Sequence, residues 1–148
     1  MMSVKIIKME ASHVSDVALI EKECFSTPWT EKGLSDELTN PNAFFFVAIA
    51  DDKAAGYIGS HNILGEVYIT NVAVRGTYRR QGIARALVEY LCEFFQKEKA
   101  EFITLEVRES NESAKSLYEK TGFSVVGKRK NFYESPREDA LLMTKFLR

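Results

Sequence analysis

Two ionisable side chains in the C-terminal half of the chain have the types that acid–base chemistry requires. Glu106 is the only charged residue in the apolar segment I-T-L-E-V. A carboxylate partly removed from water holds its proton more tightly and becomes a usable general base. A surface ion pair with Arg108 or with a residue on the next strand explains the presence of Glu106 equally well. Tyr118 lies in S-L-Y-E-K-T-G-F, where a phenol packs as a core aromatic or gives up a proton to a leaving group. Asn111 begins the same predicted helix. Its side-chain amide would ordinarily cap that helix, or it could hydrogen-bond a ligand.

A second group of residues has the composition of an anion-binding loop. The segment from Arg75 to Gln81 carries three arginines and a glycine, and it lies between a predicted strand and a predicted helix. Backbone N–H groups at a helix start are unpaired and attract an anion. Gly82 has no Cβ, so a phosphate could approach the backbone, and Arg79, Arg80 and Arg85 add positive charge. We therefore predict a site for a phosphate-bearing ligand; an ordinary surface turn with solvated arginines is the alternative.

The elements that must position these residues alternate between strands and helices. The β-branched run that ends at Val74 predicts a strand, and the apolar spacing of Ile83, Leu87 and Leu91 predicts a long helix after it. A strand at Phe102–Val107 follows, which implies a right-handed parallel crossover. We predict further strands at Val4–Met9, Phe44–Ala50, Ala55–Leu64, Val67–Val74, Ser124–Lys130 and Leu141–Phe146, with a loop over Asn131–Asp139, and helices at Ser12–Phe25, Thr30–Leu38, Gly82–Lys97 and Asn111–Thr121.

Length and composition restrict the class of protein. The chain has 148 residues, of which 45% are hydrophobic and 28% charged, and a formal net charge of −1. These values indicate one α/β domain over residues 1–148 and argue against a strongly basic nucleic-acid surface. No apolar run has the length of a membrane span. The two cysteines and two histidines have no metal-ligand spacing, so no metal is expected. A buried free thiol fits a reducing compartment, and we expect the cytoplasm.

Five segments of the C-terminal half, in this order and spacing, resemble those of the GNAT acetyltransferases. They are V-A-V at Val72–Val74, R-R-Q-G-I-A at Arg79–Ala84, L-E-V-R at Leu105–Arg108, N-E-S-A at Asn111–Ala114 and L-Y-E-K-T-G-F at Leu117–Phe123. The resemblance implies the GNAT fold, a mixed and mostly antiparallel sheet of about seven strands flanked by about four helices. It also implies acetyl-coenzyme A as the donor substrate.

The same resemblance implies a role for each matching residue. Glu106 would be the general base, acting through water, and Tyr118 the general acid toward the thiolate. Asn111 and Tyr118 would contact the donor, whose pantetheine would run beside a strand where the sheet splays. The pyrophosphate and pantetheine contacts would come from the backbone of Val72, Ala73, Val74, Arg79, Arg80, Gln81, Gly82, Ile83 and Ala84.

Two further segments are similar to the RimI branch of that family, namely F-S-T-P-W at Phe25–Trp29 and N-F-Y-E-S-P-R-E-D-A at Asn131–Ala140. Members of that branch acetylate protein N-termini, notably the alanine that begins a small-subunit ribosomal protein. Trp29 and Tyr133 are assigned to the acceptor groove on this basis. Phe132 departs from the branch, since related sequences often have two tyrosines here, and Tyr133 would then hold the acceptor backbone alone.

Three functions stay open at this point. The first is acetylation of a protein N-terminal α-amine, which is favoured because about a tenth of α-amines are neutral at pH 7 and far fewer lysines are. The second is acetylation of a small amine such as a polyamine or an aminoglycoside. The third is a non-catalytic module that binds acetyl-coenzyme A, against which the presence of both Glu106 and Tyr118 argues. The sequence predicts neither membrane nor direct nucleic-acid binding and leaves the oligomeric state open.

Overall fold

Seven strands form one sheet in the computed structural model, which describes residues 3–148. The spatial order is β1-β2-β3-β4-β5-β7-β6, and only the β4–β5 pair is parallel. Four helices accompany the sheet, so the predicted mixed, mostly antiparallel fold is confirmed. The strands are β1 (Val4–Lys8), β2 (Ala43–Ala50), β3 (Lys53–Ile63), β4 (Glu66–Val74), β5 (Phe102–Arg108), β6 (Ser124–Glu134) and β7 (Arg137–Phe146), and the helices are α1 (Val14–Cys24), α2 (Glu31–Glu37), α3 (Ile83–Lys97) and α4 (Glu112–Lys120).

Helices cover both faces of the sheet and bury one apolar cluster on each. On one face, α3 and α4 pack over residues such as Ile58, Leu105 and Val107. On the other face, α1 and α2 pack over Phe45 and Tyr57. The predicted apolar stripe of α3 is fully buried at Leu87, Leu91 and Phe95, as well as Ile83. Within residues 3–148, no helix combines the length and apolar character needed to cross a membrane.

The sheet opens between its two parallel strands. β4 and β5 pair only where Glu66–Tyr68 lie beside Phe102–Thr104. A register shift between Gly59 and Ser60 on β3 leaves Thr70 as an extra residue in β4. Such a bulge bends its strand, so the rest of β4 turns away from β5. The two strands therefore leave a gap between Ile69–Val74 and Leu105–Arg108.

The last hairpin corrects one sequence-based prediction. The segment Asn131–Asp139 is not a loop, because β6 continues to Glu134 and β7 begins at Arg137, with a tight turn at Ser135 and Pro136. A register irregularity between Arg129 and Tyr133 takes up Asn131, whose φ is +54°. The Asn131 N–H donates to Asp139 Oδ1 at 2.7 Å. The polar residues of this segment, which suggested a loop, therefore belong to two paired strands at the edge of the sheet.

Candidate active site

A cavity of about 470 Å³ occupies the gap between β4 and β5. Its wall combines the segment between α1 and α2 with parts of β4, β5, α4 and the β6–β7 hairpin. The structure therefore brings together six residues that the sequence assigned to the site. These are Trp29, Val72, Glu106, Asn111, Tyr118 and Tyr133.

Glu106 reaches this cavity from the middle of β5. The alternation of the strand buries Leu105 and Val107 under α3 and α4 and turns Glu106 to the opposite face. Its side chain is only 5% exposed. The Tyr68 hydroxyl donates to one carboxylate oxygen, and Arg129 Nε donates to the other at 2.8 Å. These two donors hold the carboxylate in a fixed orientation at the cavity.

Of the two ion pairs considered for Glu106, the one with Arg108 does not form, whereas one with the next strand along the chain does, since Arg129 of β6 pairs with Glu106. Arg108 instead bonds to Glu138 at 3.3 Å, and its guanidinium lies 4.2 Å from the ring centroid of Tyr133. This contact fixes the Tyr133 ring at the wall of the cavity. Burial raises the pKa of the Tyr133 phenol, as does the negative charge of Glu106. Tyr133 is therefore a neutral hydrogen-bonding group at physiological pH.

Tyr118 combines the two roles that the sequence left open. Its ring packs edge-on against Phe123, with centroids 5.6 Å apart, and the residue is only 7% exposed. It also lines the cavity. Burial raises the pKa of its phenol, and the nearby Tyr133 raises it further. The phenol therefore keeps its proton at physiological pH, as a hydrogen-bond donor must.

Asn111 serves as the N-cap of α4. Its Oδ1 accepts from the Ala114 N–H at 3.1 Å and from the Ser113 hydroxyl at 3.3 Å. Of the two roles considered for the Asn111 amide, its oxygen therefore has the capping role in this structure. The residue also borders the cavity, so the cap and the predicted donor contact lie at the same place.

The start of α3 is open to a ligand. Gly82 precedes it with φ +78°, and no side chain in residues 3–148 caps the helix. A Cβ built on Gly82 meets no atom within 4 Å, so the approach to the backbone is clear. Arg80 and Gln81 are exposed, and Arg80 also has a positive φ of 64°. The first N–H groups of α3 are thus available to an anion.

The remaining residues of the predicted donor site differ in what they can offer. The Ala73 and Val74 side chains pack into the two apolar clusters, and Ile83 is buried, so only their backbones can contact a ligand. Ala84 is half-buried. Arg79 turns back to the end of β4, where its Nε donates to the Val74 carbonyl at 3.3 Å.

The expected concentration of positive charge at the loop is therefore only partly present. Arg79 also lies near Cys24, with Nη2 3.4 Å from Sγ, and Arg85 pairs with Glu89 along α3. Both guanidinium groups are engaged by the protein itself. Throughout residues 3–148, no group of three or more His, Cys, Asp or Glu side chains is placed to hold a metal ion.

Three residues that support the site without lining the cavity were missed in the sequence. Tyr68 precedes the recognised β4 motif and contacts Glu106. Arg129 pairs with Glu106 from β6 but was not singled out in the sequence. Glu21 is fully buried in α1, where it continues the apolar spacing of Val14, Val17 and Ala18. A charged residue within an apolar helical stripe could have been recognised from the sequence alone. The contacts of Tyr68 and Arg129 could not, because they depend on the order of the strands in the sheet.

The profile of the Acetyltransferase (GNAT) family matches residues 14–123. The chain belongs to the GNAT acetyltransferase family. The match covers most of the chain and includes every recognised motif from the Phe25–Trp29 segment to Phe123. The family and the enzyme class predicted from the sequence are thereby confirmed: the protein is a GNAT N-acyltransferase.

Individual relatives of this GNAT enzyme cover nearly all of it. A Bacillus subtilis (strain 168) protein is 37% identical over 136 residues, which are 91% of this chain and 90% of the relative. The ribosomal protein bS18-alanine N-acetyltransferase of Escherichia coli K12 is 33% identical over 140 residues, 93% of this chain and 94% of the relative. The resemblance to the RimI branch is therefore confirmed.

Solved structures agree with the fold. The crystal structure of the ribosomal-protein-S18-alanine N-acetyltransferase from Escherichia coli superposes with a TM-score of 0.91 at 31% identity, covering 98% of this chain and 94% of that one. Arabidopsis thaliana NAA60 in complex with acetyl-CoA gives a TM-score of 0.89 at 18% identity, covering 97% of this chain and 99% of that one. The second similarity concerns the fold alone.

Proposed function

We propose that this GNAT enzyme transfers the acetyl group of acetyl-coenzyme A to the N-terminal α-amine of a protein. The N-terminal alanine of ribosomal protein bS18 is the first acceptor to test, because the Escherichia coli relative is named for that reaction. The observation that carries the proposal is the cavity in the split sheet, whose wall includes both Glu106 and Tyr118. A ribosomal acceptor implies that the reaction takes place in the cytoplasm.

The donor site fits an extended, pyrophosphate-bearing molecule. The uncapped start of α3 and the clear approach to Gly82 suit the pyrophosphate. The part of β4 that pairs with β3 but not with β5, Ile69–Val74, has backbone groups on its open edge that can bond the amides of the pantetheine arm in the manner of an added strand. Acetyl-coenzyme A supplies an activated thioester. Arg80, Gln81 and Ala84 adjoin the pyrophosphate site, and Asn111 adjoins the arm.

Glu106 then serves as the general base through one water molecule. Each carboxylate oxygen has two acceptor positions, so the bonds from Tyr68 and Arg129 leave one on each oxygen for a water. The proton that the acceptor ammonium must lose passes through that water to the carboxylate. Because an α-amine has an ordinary pKa near 8, a carboxylate can complete this deprotonation at neutral pH.

Tyr118 assists the departing thiolate from the opposite wall. Its phenol is held by α4 against Phe123 and keeps its proton because burial raises its pKa. A hydrogen bond from this phenol stabilises the negative charge that develops on sulfur. The raised pKa makes complete proton transfer to sulfur less favourable than donation of a hydrogen bond, so Tyr118 acts mainly by donation.

The acceptor groove is formed by Trp29 and Tyr133 at the two sides of the cavity. Tyr133 is fixed by Arg108, and its phenol is the hydroxyl available to the acceptor backbone. Phe132 beside it is 45% exposed and has no hydroxyl. The Phe132 ring contacts that of Tyr133 edge-on, with centroids 5.1 Å apart, but Phe132 is not part of the cavity wall.

The test uses purified protein, acetyl-coenzyme A and four acceptors analysed by mass. One peptide begins with alanine and contains a lysine, a second is the same peptide with a blocked N-terminus, a third begins with methionine, and the fourth acceptor is a polyamine. We expect acetylation of the first at its α-amine and none of the second. Selective acetylation of the polyamine would support the small-amine alternative, and binding of the donor without turnover would indicate a non-catalytic module.

A further inference from the structure

Glu21 is a buried carboxylate that the proposed reaction does not use. It lies in α1 and has no exposed surface. Burial raises its pKa, although hydrogen bonds from three neighbours act in the opposite direction. Burying a carboxylate is costly, and an apolar residue of similar size often serves stability as well. The contacts of Glu21 therefore need an explanation beyond packing.

Three donors from three parts of the chain converge on this one carboxylate. The Trp29 backbone N–H donates to Oε1 at 2.9 Å. The Tyr57 hydroxyl on β3 donates to Oε2 at 2.6 Å, and Asn71 Nδ2 on β4 donates to the same oxygen at 3.2 Å. Asn71 follows the bulge that opens the sheet. Glu21 thus joins the segment after α1 to the strand that borders the gap.

The segment after α1 has few other attachments. Between Ser26 and Trp29, the Trp29 N–H is the only backbone donor with a protein acceptor in the structure of residues 3–148. The Trp29 ring packs against Phe45, with centroids 5.8 Å apart. Phe25, Ser26 and Thr27 line the cavity together with Trp29. The position of this wall therefore depends on Glu21.

We propose that Glu21 is a positioning residue that holds the Phe25–Trp29 wall against the bulged part of β4 and so fixes the acceptor side of the cavity. The inference rests on the proposed function in one respect, the assignment of Trp29 to the acceptor groove. Glu21 touches neither the start of α3 nor Glu106, and its contact with β4 is made to the Asn71 side chain rather than to the backbone proposed to bond the donor. Its loss should weaken acceptor binding and leave donor binding unchanged.

The first experiment does not depend on activity. Trp29 is the single tryptophan of the chain, so its fluorescence reports the position of this wall directly. In Glu21→Met, which keeps the side-chain volume but removes the acceptor, we expect emission at longer wavelength and stronger quenching by acrylamide. Glu21→Asp keeps a carboxylate but shortens its reach, and it should change both signals in the same direction if the Met variant does not fold.

Two variants serve as controls. Glu21→Gln keeps an oxygen that can accept from the Trp29 N–H, so the Trp29 emission should stay as in the wild type. Tyr57→Phe removes one donor to the same carboxylate but keeps the bond to Trp29. The Trp29 emission should therefore stay as in the wild type, even if the melting temperature falls.

The second experiment is kinetic. In Glu21→Met we expect the KM for an alanine-starting peptide to rise about tenfold or more, with the KM for acetyl-coenzyme A within about twofold of wild type. A lower melting temperature with unchanged Trp29 fluorescence and unchanged KM values would overturn the proposal, since Glu21 would then be structural only. The wild type could fail to acetylate any α-amine while Glu21→Met still shows the expected fluorescence change. This result would refute the proposed function but support the role of Glu21 in holding the Phe25–Trp29 wall.

Discussion

At the scale of single residues, the site depends on a carboxylate whose surroundings are polar on one side and apolar on the other. Glu106 contacts Tyr68 and Arg129, while the adjacent Leu105 and Val107 are buried in the core. The arginine and the phenol each hold one carboxylate oxygen and so fix the orientation of the group. Both contacts are compatible with a base that passes a proton and returns to its resting state.

Replacement of Glu106 by glutamine tests this role. Glu106→Gln keeps the shape but removes the proton acceptor, so we expect kcat to fall roughly 10²–10⁴-fold while calorimetry gives a nearly unchanged Kd for acetyl-coenzyme A. Glu109→Gln, two residues after the end of the apolar run and paired with exposed Lys128, is the matched control and should keep full activity. Unchanged turnover in Glu106→Gln would remove this residue from the base role.

Tyr118 offers a second residue-level test. Tyr118→Phe keeps the ring against Phe123, so the melting temperature should change little. The loss of the hydroxyl should slow release of the free thiol, measured by a thiol reagent, about 10- to 100-fold, since one donor to a developing negative charge is lost. In the wild type the raised pKa of this phenol predicts no loss of rate from its ionisation below pH 10. A fully active Phe variant would reduce Tyr118 to a packing residue.

The two catalytic candidates were identified in the sequence by different signals. Glu106 is a charged residue within an apolar segment, an inconsistency that is visible without any knowledge of pairing, whereas Tyr118 was identified from the motif L-Y-E-K-T-G-F. Tyr68 and Arg129 come from strands that lie on either side of β5 in the sheet order. Their meeting with Glu106 depends on that order, which no local pattern encodes.

At the scale of elements, the residue before α3 is a glycine that suits its position for two reasons. Gly82 has φ +78° and leaves the approach to the α3 backbone open. Local composition predicted this element well, because the glycine, the arginines and the apolar stripe all lie within one continuous segment. The β6–β7 hairpin was predicted less well, since its polar residues pair across strands rather than along the chain.

Gly82→Ala tests the donor site at this scale. A Cβ at positive φ costs about 1–2 kcal/mol and projects into the approach to the helix start. We expect a higher KM for acetyl-coenzyme A and an unchanged KM for the acceptor peptide. Gly127→Ala is a suitable control, because its Cβ would meet Leu142 at an ordinary 3.9 Å. Equal effects of the two substitutions on the donor KM would contradict a donor site at α3.

The burial of the Glu21 carboxylate predicts a pH dependence of stability. Its folded pKa is raised by burial, so above the ordinary value of about 4.3 the unfolded chain binds fewer protons than the folded one. The free energy of unfolding of the wild type should therefore fall, relative to Glu21→Gln, as pH rises from about 4 through the folded pKa, and then level off. Urea unfolding at several pH values measures this difference. If the wild type instead gained stability relative to Glu21→Gln as the pH rises over that range, the folded pKa of Glu21 would be lowered rather than raised.

At the scale of the whole molecule, the split sheet leaves hydrogen-bonding groups of β4 and β5 without strand partners. The two halves of the sheet are joined here by the short Glu66–Tyr68 pairing with β5, by α3 and by the apolar cluster beneath it. A ligand that lies along β4 supplies the missing contacts and connects the halves. Donor binding should consequently stabilise the complete fold and protect the edges of the gap most strongly.

Acetyl-coenzyme A at one hundred times its Kd should raise the free energy of unfolding by about 2.7 kcal/mol, and the melting temperature by roughly 5–10 °C for a chain of this length. Amide hydrogen exchange should slow most at those N–H groups of Ile69–Val74 that face the gap rather than β3, and at the first residues of α3, because the donor covers these groups. Amides of β1, which pairs only with β2 at the far edge, should change no more than global stability requires. Protection centred on the β6–β7 hairpin, with β4 and the start of α3 unchanged, would instead place the donor on the acceptor side and contradict the arrangement.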